Sequence, residues 1–194
     1  MAANQEAIAQ KALEMIGANT IASFDDGTPE ANFMKLMYEE IVSVALSEHP
    51  WSFASALSDI SSNRLAAEPE ALWDAKYTIP VDLSLTAVHA VYIGDVPQRY
   101  DRFEGDIYID ASSGDTVVIR YGFRASESTW PDYFRVYIIA KVALFAAISI
   151  TRNAEVIQAM GQMEAKLGSD ARLRDSQSRT AKKARLNRFA TRRR

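Results

Sequence analysis

Apolar residues recur with a helical period in a segment close to the N-terminus. Residues 7–16 place Ile8, Leu13 and Ile16 near one face, and Gly17 suits the left-handed turn that commonly closes a helix. This pattern predicts a first helix over residues 7–16.

A second helix is predicted from Thr28 to about His49. Thr28 supplies an N-cap, Pro29 suits the first helical turn, and Pro50 ends the helix. The predicted apolar stripe of this helix consists of Met34, Met37, Ile41, Val44 and Ala45.

From residue 51 to residue 125 the period changes to that of β-strands. Apolar residues alternate with polar ones before Pro80, at Trp73, Ala75, Tyr77 and Ile79. Further strands are predicted over residues 85–93, 102–109 (two short strands around a Glu104-Gly105 turn) and 116–123. Residues 58–72 are polar and alanine-rich and are predicted to form a loop. The region should therefore be a meander of roughly four to five antiparallel strands.

The helical period returns after Trp130-Pro131-Asp132. The predicted buried stripe of this third helix is Phe134, Ile138, Val142, Phe145 and Ile148. Asn153 is the predicted N-cap of a fourth helix, whose apolar pattern fades past Asp175. Its predicted buried side comprises Val156, Ile157, Met160, Met163 and Leu167.

Together these elements predict an α+β fold. Helices from both chain ends should form an antiparallel-type bundle, with an inserted antiparallel β subdomain and an extended C-terminal tail. The predicted boundaries are residues 1–50 for the N-terminal helices, 51–127 for the β subdomain, 128–177 for the C-terminal helices and 178–194 for the basic tail.

Composition excludes several kinds of site. The 194 residues are 48% hydrophobic and 24% charged, as in an ordinary soluble globular protein. The chain has no cysteine, which excludes disulfides, thiolate metal sites and a cysteine nucleophile. Residues 1–10 lack the pattern of a secretory signal. The most apolar stretch, residues 136–150, contains Lys141 and is shorter than the roughly 20 residues of a membrane span, so a buried core helix is predicted.

The net charge of −3 conceals an acidic body and a basic tail. Residues 179–194 hold eight of the 22 basic residues and no acidic one, which leaves 14 basic and 25 acidic residues before them, a net charge of −11. Basic tails of this kind commonly bind partners. The candidate partner-binding residues are Arg179, Lys182, Lys183, Arg185, Arg188, Arg192, Arg193 and Arg194.

The sequence predicts no catalytic, cofactor-binding or metal-binding residues. His49, at a helix end, and His89, in a strand and expected to be half-exposed, have no second ligand at metal spacing. Asp25-Asp26-Gly27 suits a turn rather than a calcium loop, and neither a glycine-rich phosphate loop nor a nucleophile elbow occurs. The three tryptophans, Trp51, Trp73 and Trp130, each lie beside a predicted helix or strand boundary. We predict that they anchor the core, and the alternative is that they contact a neighbouring subunit.

Several short segments occur in a characteristic order across residues 7–175. They are Ala12-Leu13, Ile16-Gly17, Ser23-Phe24-Asp25-Asp26-Gly27-Thr28-Pro29-Glu30-Ala31, Tyr38, Pro50-Trp51-Ser52-Phe53-Ala54, Tyr77-Thr78-Ile79-Pro80-Val81-Asp82-Leu83, Gly105-Asp106-Ile107, Ile119-Arg120-Tyr121 and Trp130-Pro131-Asp132-Tyr133-Phe134. In their order and spacing, and in total length, the chain resembles the head-to-tail adaptor (tail tubular protein A-like) family of short-tailed, T7-like bacteriophages. That family is a helix bundle with an inserted β region, which agrees with the architecture predicted above.

The resemblance implies a structural protein without enzymatic activity or cofactor. Such a protein is made in the host cytoplasm and joins the virion at the head–tail junction. There a ring, typically of twelve copies, connects the portal protein to the tail nozzle protein. Double-stranded DNA passes through the lumen without specific binding, and no membrane partner is implied. The C-terminal segment of such adaptors embraces neighbouring subunits or the portal, although the Arg-rich ending here matches no motif of the family.

The tail leaves a second function open, that of a DNA-binding accessory virion protein. The basic side chains of residues 179–194 have three possible roles. They can remain in solvent without a partner, dock onto an acidic protein surface, or contact DNA phosphates. Docking is favoured over DNA contact, because several phosphate contacts per subunit would retard a genome sliding through the ring. A dedicated DNA-binding protein should also carry a basic face on its folded body. A hydrolase, the third alternative, has no supporting motif.

Overall fold

The computed structural model describes residues 4–65 and 72–178, and in these residues the chain is an α+β protein. The described chain forms α1 and α2, then eight strands, then α3 and α4. The α+β class predicted from the sequence is therefore confirmed. The four domain boundaries stay predictions, and the tail from residue 179 onward lies outside the described residues.

The first helix, α1, spans Gln5–Met15 and has defined caps at both ends. The Asn4 side-chain oxygen accepts a hydrogen bond from the Ala7 amide at 2.9 Å, which satisfies one of the amides left open at a helix start. Gly17 adopts a φ of +68°, the left-handed conformation that a residue with a side chain rarely takes. The helix and its closing glycine are as the sequence predicts.

The second helix, α2, spans Pro29–Ser47 and carries two apolar stripes. The Thr28 hydroxyl accepts a hydrogen bond from the Ala31 amide at 3.1 Å, which confirms the predicted N-cap. The buried stripe is Ala31, Met34, Tyr38, Ile41, Val42, Ala45 and Leu46. The prediction that Val44 is buried is wrong, because 51% of this residue is exposed. The predicted stripe combined residues from two sides of the helix.

The described residues of the β region form eight antiparallel strands in two four-stranded sheets, so the prediction of one meander of four to five strands is wrong. The first sheet has the order β1-β8-β4-β5, and the second has the order β2-β3-β7-β6. The strands are β1 Ser55–Asp59, β2 Arg64–Leu65, β3 Ala75–Thr78, β4 Leu85–Ile93, β5 Val96–Gln98, β6 Asp101–Phe103, β7 Asp106–Ile109 and β8 Val117–Phe123.

The predicted strands are present, but the predicted loop over residues 58–72 is wrong in part. This range contains the end of β1 and all of β2, while residues 66–71 lie outside the described part of the chain. The turn between β6 and β7 is formed by Glu104 and Gly105, both with positive φ, as expected for a two-residue hairpin. β1 was missed because it is short and serine-rich and is held by pairing with the distant strand β8.

The third helix, α3, spans Asp132–Ala146, and α1, α2 and α4 all pack against it. A π-helical turn, Ala147–Thr151, extends it, and Arg152 then takes a left-handed conformation. The fourth helix, α4, spans Ala154–Gln177. The Asn153 side-chain oxygen accepts a hydrogen bond from the Glu155 amide at 2.9 Å, which confirms the predicted cap.

Packing from three sides explains the errors in the stripe predicted for α3. Phe134, Ile138 and Val142 are buried as predicted, but Phe145 and Ile148 are 39% and 52% exposed. The buried arc is wider than one stripe, because α3 also buries Tyr137, Ala140, Lys141 and Ala143. On α4, Met163 is 38% exposed, while four predicted positions are half-buried against the core: Val156, Ile157, Met160 and Leu167.

Four aromatic side chains join the helical part to the β region, and we call this cluster the aromatic joint: Trp51, Phe53, Trp130 and Phe134. The Phe134 ring lies 4.8 Å from the Trp51 ring, 4.8 Å from Phe53 and 5.1 Å from Trp130. Trp51 and Trp130 are buried, which confirms the predicted core anchoring, whereas Trp73 is only half-buried. A separate apolar cluster fills the β region, and Phe123 packs against both cores.

Candidate assembly surfaces

All eight candidate partner-binding residues of the tail, from Arg179 to Arg194, lie outside the described residues. The last described residue is Ser178, directly after α4. Its hydroxyl lies 3.5 Å from the hydroxyl of Ser52, the neighbour of Trp51. The point from which the tail departs is therefore beside the aromatic joint.

Asp175, in the last turn of α4, is fully buried and fixes the end of that helix to the joint. Its Oδ1 accepts hydrogen bonds from the Ser52 amide at 2.9 Å, from the Ser52 hydroxyl at 2.6 Å and from the Tyr133 hydroxyl at 3.1 Å. Its Oδ2 lies 3.2 Å from His49 Nε2. A carboxylate removed from water requires partners of this kind. The cluster thus connects α4 to the segment after α2 and to α3.

A second polar cluster holds α2, α3 and α4 together around Lys141. The Lys141 ammonium donates to Glu48, to the Tyr137 hydroxyl at 3.0 Å and to Glu164 at 3.3 Å. Burial opposes the charge, yet the hydrogen bonds to Glu48 and Tyr137 raise the pKa of Lys141 above its ordinary value. Burial and the hydrogen bond to Glu48 raise the pKa of Tyr137 to about 12. Both groups therefore keep their protons at neutral pH.

Arg124 connects the end of β8 to α2 and to the aromatic joint. Its guanidinium donates to both carboxylate oxygens of Glu39, at 2.6 and 2.9 Å, and to Glu127 at 2.6 Å. It also lies 5.4 Å from the centre of the Trp130 ring. Although burial disfavours the charge, Glu39 and Glu127 raise the pKa of Arg124. Only a planar guanidinium can make this forked contact and stack on the indole.

Replacing Arg124 with lysine should therefore destabilise the fold although the charge is kept. We expect the free energy of unfolding to fall by about 1–3 kcal/mol, because the forked pairing with Glu39 and the contact with Trp130 are lost. Urea denaturation of the purified variant measures the loss. The matched control is Arg135→Lys, whose partner Asp132 is 89% exposed and whose effect should be below about 0.5 kcal/mol. Equal losses in the two variants would contradict this role of Arg124.

The outer face of the β1-β8-β4-β5 sheet is open to solvent. In this sheet Leu57 of β1 lies opposite Arg120 of β8, and two residues further along β8, Val118 lies opposite Tyr92 of β4. Leu57 is 67% exposed. A depression of about 680 Å³ on this face is lined by Ser52, Ser55, Ala56, Leu57, Tyr92, Gly94, Asp95, Val118 and Arg120. This lining mixes apolar and polar groups and suits contact with another protein surface.

A second concave surface lies between α1, α3 and α4, and we call it the α1/α3/α4 groove. It has a volume of about 420 Å³ and is lined by Lys11, Glu14, Met15, Val136, Ile139 and Met163. Val136 is 45% exposed at its floor, and the two charged residues belong to α1. An apolar floor with charged residues at the rim is typical of a surface that receives a helix.

The two histidines lie in different parts of the fold. His49 follows α2 and faces Asp175, and His89 is half-buried on β4, as predicted. A Cβ at position 122 would lie 2.8 Å from the Thr86 hydroxyl and 2.9 Å from the His89 ring nitrogen, so a residue larger than Gly122 requires these side chains to move. Within residues 4–65 and 72–178, no group of three His, Asp or Glu side chains is arranged to hold a metal ion.

Asp132–Thr151 is long and apolar enough, by length and composition, to cross a membrane. Half of the most apolar 18-residue stretch of this segment is buried inside the protein. Lys141 lies in the segment and is paired with Glu48 and Glu164. Core helices of globular proteins meet the same length and composition test. The sequence-based interpretation of this helix as a core helix agrees with its packing against α1, α2 and α4.

The sequence patterns did not predict the Asp175 cluster or the α1/α3/α4 groove. Asp175 gave one signal, because an acidic residue in the last turn of a helix is opposed by the helix dipole and therefore requires a compensating partner. The groove gave none, since its lining comes from three helices that are distant in the sequence.

No protein-family model and no curated protein sequence matches this chain. The function is therefore inferred from the residues, the fold and the surfaces described above.

Proposed function

We propose that this chain is a structural, non-enzymatic adaptor of a short-tailed, T7-like bacteriophage, part of the virion's head–tail junction. In this proposal twelve copies form a ring between the portal protein and the tail nozzle protein, and the genome passes through the lumen. Helices from both chain ends form the bundle, residues 51–127 are the inserted β subdomain, and residues 178–194 extend to a partner.

The observation that carries the proposal is that segments behind the resemblance meet in space. Trp51 and Phe53 come from one such segment, Trp130 and Phe134 from another, and all four belong to the aromatic joint. In the same way, the Phe24 and Tyr38 rings of two further segments lie 5.6 Å apart. Residues that together build one joint support a shared architecture more strongly than the same residues scattered over a surface.

The charge distribution also supports an adaptor over a DNA-binding protein. The chain before residue 179 has a net charge of −11, and residues 179–194 hold eight basic residues and no acidic one. An acidic body repels a DNA duplex and favours its passage, whereas DNA-binding domains carry a basic face. The tail charges are better suited to an acidic protein surface.

The test is assembly with the portal protein encoded in the same phage genome. Sedimentation velocity of the full chain should show a monomer or weak oligomer alone, and a twelve-subunit gain in mass on the portal. Each contact between two subunits should be weak by itself, so the ring forms when the portal holds the copies side by side. A tight ring from isolated subunits at low micromolar concentration would contradict template-dependent assembly. Absence of portal binding, together with retardation of duplex DNA in gels, would favour the DNA-binding alternative.

Deleting residues 179–194 should leave the fold intact and abolish portal docking. The segment has no apolar stripe to contribute to the core, but it carries eight of the chain's basic residues. Thermal unfolding and portal co-sedimentation measure the two effects. A full-length control with all eight basic residues changed to glutamine separates charge from length, and it should also fail to dock. Normal docking by both variants would refute the role of the tail.

A further inference from the structure

One side of α2 is apolar and is only partly covered by the core. We call it the α2 ridge, and it consists of Phe33, Leu36, Met37, Glu40 and Val44. Residues three and four apart share a side of a helix, so these five form one continuous row. Leu36 is 74% exposed and Val44 is 51% exposed, while Phe33 and Met37 are half-buried and pack against the helical core. Leu36 and Val44 therefore project from the helix into solvent.

The α1/α3/α4 groove has the complementary shape. Its floor is formed by Met15, Val136, Ile139 and Met163, and methionine side chains adapt readily to an incoming helix. The ridge and the groove have no residue in common and belong to different helices. They therefore remain accessible at the same time on one subunit.

Each surface also carries a charge that can pair with one on the other surface. Glu40 interrupts the ridge, and the rim of the groove carries Lys11 together with Glu14. Neither Glu40 nor Lys11 has an ion pair within the described part of the chain. The charges beside the ridge are already used, because Lys35 pairs with Asp25 and Glu39 pairs with Arg124. Glu40 is thus the charge that the ridge presents to another molecule.

We propose that the α2 ridge of one subunit packs into the α1/α3/α4 groove of the next, with Glu40 beside Lys11. The occupant of the groove is a second copy of this chain. Because the two surfaces differ, the contact is head-to-tail, and repeated copies form a ring when the rotation between neighbours closes and a filament when it does not, whereas a self-complementary contact would end at a dimer. The inference rests on the proposed function, which requires a ring, and it names the contact that forms it.

The absence of native cysteine allows a direct test by thiol cross-linking. The full-length double variant Val44→Cys, Met163→Cys places one thiol on the ridge and one in the groove, both at exposed positions. A short bismaleimide should then produce a ladder of dimers, trimers and longer species. The single variants should not exceed background, and a mixture of the two should give dimers only. Circular dichroism and thermal unfolding of each variant confirm that it is folded.

Charge exchange in this background tests the pairing of Glu40 with Lys11. Glu40→Lys or Lys11→Glu alone should each reduce trimers and longer species roughly tenfold, because like charges then face each other. A mixture of the two variants should restore the ladder, since each ridge then meets a groove of opposite charge. Glu40→Gln, which removes the attraction without creating repulsion, should give an intermediate yield.

The control pair is Val81→Cys, Leu173→Cys, at two positions that are 98% and 58% exposed and belong to neither surface. A ladder from this pair equal to that of the ridge–groove pair would overturn the inference, as would efficient dimers from Val44→Cys alone.

Failure of this contact is distinct from failure of the proposed function. If Lys11→Glu alone still adds twelve subunits to the portal, the ridge–groove contact is wrong and the adaptor function stands. If the ladder forms as expected but the chain does not bind the portal, the contact stands and the adaptor function is wrong.

Discussion

Replacing Trp130 with alanine is expected to lower the free energy of unfolding by about 3–5 kcal/mol, the usual loss for a buried tryptophan. The indole is 3% exposed, packs edge-on against Phe134 at 5.1 Å and donates its N–H to the Ala125 carbonyl at 2.9 Å. Arg124 also stacks on it. The loss is a large share of a domain stability of about 5–15 kcal/mol. Chemical denaturation of the isolated variant measures it.

Trp73→Ala is the matched control, because Trp73 is half-buried and donates its N–H to Asp101 at an exposed site. Its substitution should cost clearly less than that of Trp130. The competing interpretation places Trp130 at a subunit contact, where alanine would spare the monomer and abolish the ring. An unchanged denaturation midpoint together with lost ring formation would establish that interpretation.

The second large effect is expected at Asp175. The Asp175→Ala substitution should lower the free energy of unfolding by about 3–5 kcal/mol, as for other buried polar pairs that lose one partner. It removes the carboxylate that accepts hydrogen bonds from the Ser52 amide and the Tyr133 hydroxyl and that faces the His49 ring. Because Ser178 is three residues away, the substitution should also misplace the start of the tail and weaken portal docking.

Urea denaturation and portal co-sedimentation measure the two consequences of Asp175→Ala. Asp170→Ala on the exposed side of the same helix is the control and should change stability by less than about 0.5 kcal/mol. Asp175→Asn, which keeps the shape and one acceptor, should fall between them. Equal midpoints for the variants at 170 and 175 would show that the buried cluster does not stabilise α4.

The helices could be predicted from the sequence because their ends are local features. Thr28, Asn153 and Gly17 determine where helices start or end through contacts within a few residues, and each has its predicted role. Which side of each helix is buried could not be predicted so well. Val44 and Phe145 satisfy a helical period, but their exposure depends on where the other helices pack.

The division of the β region into two sheets could not be predicted, since strand pairing is not local. β1 is serine-rich and pairs with β8, from Ser55 opposite Gly122 to Asp59 opposite Val118. No pattern within residues 55–59 reveals that pairing. The candidate surfaces have the same limitation, because the α1/α3/α4 groove combines Lys11 with Val136 and Met163. The tail was the one candidate visible as a local run of charge.

The aromatic joint has a consequence for the evolution of the chain. The β region starts after Trp51 and ends before Trp130, and both rings lie within 5.1 Å of the same Phe134 ring. When the two ends of an inserted segment lie close together, the helical part needs only a short connection if the segment is removed. The entropic cost of closing the inserted segment as a loop rises only slowly with its length. The intervening segment can therefore be shortened, enlarged or exchanged during evolution while the helices keep their arrangement. Changes of length within the β region should accordingly be tolerated better than changes in the helices that pack around Phe134.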